Sequence, residues 1–187
     1  GLAMKPASAS ASPVGDAKDW LSKQVNANGG FGMQPGDDSS LEMTATAMIG
    51  LGKTGKDIQS VKSSSGNTPF TYLKKNSGDI DHASILAKAI LALNAVNENP
   101  RSLGGVDLVS RLERKMKDNP TSSGKVNVAA YSLMALRAVK AESSRLTDTE
   151  KWLCKAQNNH RGWGISADAR SDADTTGAVL PVVGGAR

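Results

Sequence analysis

The chain has 187 residues, a formal net charge of +5 and 39% hydrophobic residues, enough for one domain whose core needs neither metal nor disulfide. A lone cysteine, Cys154, and two histidines, His82 and His160, exclude an internal disulfide and a cysteine-rich zinc module. No run of about 18 apolar residues is present to span a membrane, no signal peptide is read, and the positive charge is spread along the chain instead of forming the stripe that a nucleic-acid partner requires.

Residues 1–15 form an Ala/Ser/Pro-rich segment (KPASASASPVG from Lys5 to Gly15) that reads as a flexible arm or linker. Residues 16–187 read as one all-α domain. Eight helices are expected, at about 16–27, 39–53, 68–76, 80–97, 105–118, 125–140, 147–157 and 172–183, with Lys62–Asn67 as a loop. Ser39 to Glu42 and Thr147 to Glu150 have the spacing of capping boxes, and Thr68-Pro69 places a cap before an N1 proline. Gly52, Gly55, Pro100 and Pro120 mark stops.

The helices alternate in kind. Those from Asp16 (Ala17, Trp20, Leu21 and Val25), Gly105 (Leu108, Leu112 and Met116) and Thr147 (Trp152, Leu153 and Ala156) carry a single apolar stripe, as outer helices do. Those centred on Met48, Leu91 and Leu133 are apolar nearly all round and belong inside. Matching Leu51, Leu93, Leu136 and Val182 gives steps of 42, 43 and 46 residues, the period of stacked helix pairs.

The first and last units also agree in their outer helices. Trp20-Leu21-Ser22-Lys23-Gln24-Val25-Asn26-Ala27-Asn28-Gly29-Gly30-Phe31-Gly32 aligns with the segment from Trp152 to Gly164, in which Trp163 stands opposite Phe31 and Arg161 opposite Gly29. The glycines permit a sharp turn after the helix, so that the second aromatic folds back on it. This block resembles the repeat of the terpenoid cyclase and protein prenyltransferase superfamily, matched by Gln157, Gly162 and Trp163; the first copy departs with Val25 and Phe31. With Gly78–Leu93 and Arg101–Leu112 considered, the chain most resembles bacterial secreted or surface proteins built from prenyltransferase/squalene-oxidase-type repeats.

The resemblance implies an α/α toroid of which about four pairs are present, an incomplete ring where about six would close. It implies a secreted or cell-surface location. It also implies a role in binding rather than catalysis, with a partner protein or a hydrophobic small molecule at the mouth lined by the N-termini of the inner helices. The open edges, at Met43, Met48, Ile49, Val179, Leu180 and Val182, are expected to drive association, as a homodimer for instance.

Candidate site residues are few. Asp172-Ala173-Asp174-Thr175 is similar to the acidic motif of class II terpene cyclases, with Asp174 in the place of the general acid, although Thr175 replaces its third carboxylate. The alternative function is therefore a cyclase-like enzyme using Asp174; the plainer reading makes Asp172 and Asp174 part of a helix cap. Only seven aromatics are available to line a cyclase cavity (Trp 3, Tyr 2, Phe 2), and most are used in the repeat motif. Asp81 and His82 could contribute to a ligand site, or to a cap and a surface contact with Asp79. Gly50 to Asp57 nearly spells a P-loop, but leaves a helix and lacks the metal-binding hydroxyl. Cys154 falls where Ser22 stands in the first copy, which points to packing. No metal and no cofactor are expected.

Overall fold

The computed structural model describes residues 12–119, 121, 124–142 and 144–184. Among these residues eight helices follow one another: α1 (Pro13–Ser22), α2 (Leu41–Lys53), α3 (Pro69–Lys75), α4 (Ala83–Ala95), α5 (Leu108–Asp118), α6 (Val126–Ala138), α7 (Ser144–Lys155) and α8 (Ala173–Val183). Short 3-10 turns occur at Ile58–Ser60 and Ser77–Asp79. Among the described residues there is no strand, only three isolated bridge pairs. The all-α expectation is met; most of the arm and Pro120 lie outside the described residues.

The starts of the helices show where local signals were misjudged. α1 begins within the Ala/Ser/Pro segment, because the Ser12 hydroxyl accepts from the Gly15 amide and Pro13 occupies N1. The cap of α2 is Ser40, which accepts from the Met43 amide; Ser39 is used elsewhere. Thr147 to Glu150 is not a start at all but lies inside α7, where Thr149 is buried. Thr68 caps α3 as expected, in a reciprocal box with Thr71.

The helices form two layers. α2 packs on α4, α4 on α6 and α6 on α8; α1 and α3 pack on α2, α5 on α4 and α6, and α7 on α6 and α8. α4 has Leu86, Ala87, Ala89, Ile90, Ala92 and Leu93 wholly enclosed. α6 buries Val126, Ala129, Ala130, Leu133, Ala135 and Leu136. α2 is covered on one side only: Thr46, Gly50 and Lys53 are exposed. α5 and α7 behave as amphipathic outer helices, burying Leu108, Leu112, Met116 and Leu153. α1 departs from expectation: Trp20 is 56% exposed, Ala17 is exposed, and only Leu21 and Val25 lean on the core. An aromatic of matching pattern is covered only where neighbours exist to cover it, and the main helix contact of α1 is with α2.

Arg111 and Lys115 do not form a simple solvated face. One nitrogen of the Arg111 guanidinium donates to the carbonyls of Ser77, Gly78 and Ile80 at 3.1–3.2 Å. Lys115 pairs with Asp81, so α5 is stapled to the turn that precedes α4. Arg114 and Lys117 are exposed. Cys154 is exposed as well, contrary to the packing role expected of it.

The turn between outer and inner helix is built twice from the same hydrogen bonds. In the first unit the Asn26 side chain donates to the Asp37 carbonyl and to Ser39 Oγ, the Phe31 amide donates to Thr44 Oγ1, and the Ser40 amide donates to the Phe31 carbonyl. In the last unit Asn158 donates to Ala169 and Ser171, the Trp163 amide to Thr176 Oγ1, and the Asp172 amide to the Trp163 carbonyl. Every residue pair is 132 positions apart. This register makes Leu51 equivalent to Val183, one residue beyond the Val182 expected from apolar matching, because Thr44 and Thr176 tie the helices to their turns. The final step between units is thus 47 residues, not 46. Phe31 and Trp163 are both buried, and the Trp163 indole N–H donates to the Leu153 carbonyl of α7 at 2.7 Å. The second aromatic therefore folds back on the helix that carries the first.

Candidate functional site

Three inner helices bring their first turns to one place. A cavity of about 250 Å³ is lined by Glu42 of α2, Ser84 and Lys88 of α4, and Lys125, Asn127 and Tyr131 at the start of α6. A second cavity of about 270 Å³, lined by His82, Ala83, Lys115, Met116 and Asn119, adjoins it through shared Ser84, Lys125 and Val128. Together they form a groove across the N-termini of α4 and α6.

Its electrostatics follow from the caps and the lysines. α2 and α8 are capped by side chains, Ser40 and Asp172. α4 and α6 have His82 and Lys125 at their N-caps, and neither side chain accepts from the helix. The first amides of α4 therefore face the groove with the positive end of the helix dipole, whereas at α6 the Val126 amide donates to the Ile165 carbonyl and the Val128 amide to Asn127 Oδ1. Lys88 is bound by Glu42 across the α2–α4 contact, and its ammonium lies 5.7 Å from the centre of the Tyr131 ring. Lys125 has no ion pair among the described residues. With Lys88 and Lys115 paired to Glu42 and Asp81, the unpaired lysine of the groove among the described residues is Lys125.

Asp81 and His82 stand at the rim, and the hydrogen-bond partner of Asp81 is Lys115. Asp81 accepts from Lys115 at 2.8 Å, while His82 is exposed and lines the second cavity. The Lys115 hydrogen bond, helped by the charges of Lys115, Arg111 and His82, holds the Asp81 carboxyl below its ordinary range. A depressed folded-state value stabilises the contact above the ordinary aspartate range, and the contribution fades as pH falls through the lower midpoint of Asp81. Carbon-detected NMR titration should give Asp81 a midpoint below that of a free aspartate, and Lys115→Met should move it up. An unmoved midpoint would separate the two residues.

The other two candidates lie on α8. Asp172 is the cap: its carboxylate accepts from the Thr175 amide at 2.7 Å and from the Thr175 hydroxyl at 3.0 Å. Asp174 is not a cap. It is exposed in the first turn of α8 and lines neither groove cavity. The four predicted residues are thus divided between α4 and α8, each packed on α6. The groove residues Glu42, Ser84, Lys88, Lys125, Asn127 and Tyr131 were missed. Lys88 was the available signal, as a lone charge in the apolar run Ile85 to Leu93. No group of three metal-ligating side chains is gathered among the described residues, and none of their helices is long and apolar enough to cross a membrane.

Two further hollows lie outside the groove. An apolar one of about 220 Å³ is lined by Trp20, Phe31, Met33, Met43, Thr46 and Ala47 at the α1–α2 edge. A polar one of about 480 Å³ is lined by Asn158, His160, Asp168, Arg170 and Ser171 beside the last turn.

Comparison with protein-family models, with curated proteins and with solved structures gives no match.

Proposed function

We propose that this chain is a non-catalytic α/α-toroid-type binding domain, and that the groove across the N-termini of its inner helices takes a partner protein through carboxylate side chains. One observation carries the reading: α4 opens an uncapped first turn into a groove that also holds Lys125. Backbone amides at a helix start and an adjacent ammonium favour an anion. The secreted or surface location rests on the sequence resemblance alone. Against the cyclase-like alternative stands the exposure of Asp174. A carboxyl that protonates an alkene needs a dry pocket to keep its proton.

The test uses a hexaglutamate peptide as probe, titrated into isotope-labelled protein and followed by NMR. Shifts are expected at the amides of Ser84 and Asn127, weakening as salt is raised, and lost in Lys125→Glu. Absence of shifts at saturating peptide, or shifts indifferent to Lys125→Glu, would refute the groove. Incubation with squalene or geranylgeranyl diphosphate should give no cyclic product. A product abolished by Asp174→Asn would place the protein among the enzymes.

A further inference from the structure

The equivalence of the first and last units shows what each open edge lacks. In the last unit the turn after Trp163 is docked on the preceding inner helix. The Val126 amide donates to the Ile165 carbonyl at 2.9 Å, and Lys125 pairs with Ser166. The equivalent residues of the first unit, 132 positions earlier, are Met33 and Gln34. Met33 is 74% exposed and borders the apolar hollow with Trp20. α8 turns Thr175, Val179 and Val182 inward, and they are buried beside α6. Their equivalents on α2 are Met43, Ala47 and Gly50; Met43 and Ala47 line that same hollow, and Gly50 is exposed. The first edge therefore has the surface that elsewhere in this chain receives a preceding inner helix.

The last edge is the converse. On α2 the face turned to α4 carries Glu42, Ala45 and Met48: Ala45 and Met48 are wholly buried, and Glu42 holds Lys88. The equivalents on α8 are Asp174, Gly177 and Leu180, all exposed, Leu180 by 55%. This edge has the surface that elsewhere receives a following inner helix.

We infer that a second copy of this chain occupies these edges head to tail, the outer face of α8 in one copy seating on the α1–α2 edge of the next. The contact repeats, between copies, the packing of one inner helix on the next that already runs through the chain from α2 to α8. The two surfaces that meet are different parts of the chain, so the association is heterologous. Charge is compatible: the α2 residue one repeat before Lys88 is Thr46, whose neutral side chain opposes Asp174 without repulsion. A stacked repeat gains by covering an apolar end, and a second copy supplies the cover of the right shape.

Sedimentation velocity over a range of concentrations tests this, with Leu180→Glu on one edge and Thr46→Glu on the other. Both positions are exposed in the single chain, so both variants should keep the native circular dichroism spectrum. The native protein should associate as concentration rises. Each variant alone should stay monomeric, and an equimolar mixture should form a one-to-one dimer, because each retains the edge that the other lacks. A native protein that is monomeric throughout overturns the inference. So does a Thr46→Glu protein that still dimerises alone, as α8-to-α8 pairing would allow, or a mixture that remains monomeric.

Discussion

Trp163→Ala should lower the stability of the chain by about 3–5 kcal/mol, the range for removing a large buried aromatic. Trp163 is 4% exposed and packs among Leu153, Val179 and Val182, so truncation leaves a cavity between α7 and α8. It also orphans the Leu153 carbonyl, which accepts the indole N–H at 2.7 Å in a buried setting. For a domain of this size the loss corresponds to a fall in melting temperature of roughly 10 °C. Trp20→Ala, on the outer helix of the first unit at the position equivalent to Trp152, should stay within about 0.5 kcal/mol of the native protein, the usual range for a surface change, because Trp20 is 56% exposed. Thermal denaturation of the two variants side by side checks both. Equal losses would mean that the helix tryptophans and the turn aromatic do not divide their roles as described, and an unchanged Trp163→Ala would make that residue a ligand contact instead of a structural one.

Gly29→Ala should be the second severe change, and Arg161→Gly its opposite. The two positions are equivalent in the paired turns, and both have positive φ, +89° at Gly29 and +69° at Arg161. A side chain in that region costs on the order of 1–2 kcal/mol. At Gly29 a Cβ would also come within 2.4 Å of the Thr68 carbonyl oxygen, which belongs to the backbone and cannot swing away. Overpacking of that kind adds about 1–3 kcal/mol. Arg161 shows that the turn itself accepts a side chain when no such neighbour stands over it. Arg161→Gly should therefore relieve strain and leave stability unchanged or raised by up to about 1 kcal/mol, since the greater freedom of glycine when unfolded offsets part of the gain. Urea denaturation of both variants would read the contrast; a destabilised Arg161→Gly would show that the arginine side chain contributes contacts of its own.

The local order of this protein is largely legible in its residues. Apolar periodicity separates the buried runs Met43 to Leu51, Ile85 to Leu93 and Val128 to Leu136 from the striped outer helices, and the alternation of the two kinds implies layers before any contact is known. The repeated Trp-Leu…Gly-aromatic-Gly block locates two equivalent turns, since the glycines and the returning aromatic are requirements of the turn itself. The same match, carried on through Ser39 and Ser171 to Thr44 and Thr176, would have set the register at 132 from sequence alone.

Neighbourhood was decided by tertiary structure. Trp20 and Trp152 occupy the same repeat position, yet one is exposed and the other half-buried, because burial depends on an adjacent unit that the local residues do not encode. The same holds for α8, whose pattern reads as an inner helix but whose outer face meets no further helix among the described residues. The groove depends most on this level. Glu42, Lys88 and Lys125 are separated by tens of residues and converge only because α2, α4 and α6 stack with their N-termini at one end. Periodicity reports which face of a helix is buried, but the identity of the charge that crosses from one helix to the next is a property of their packing.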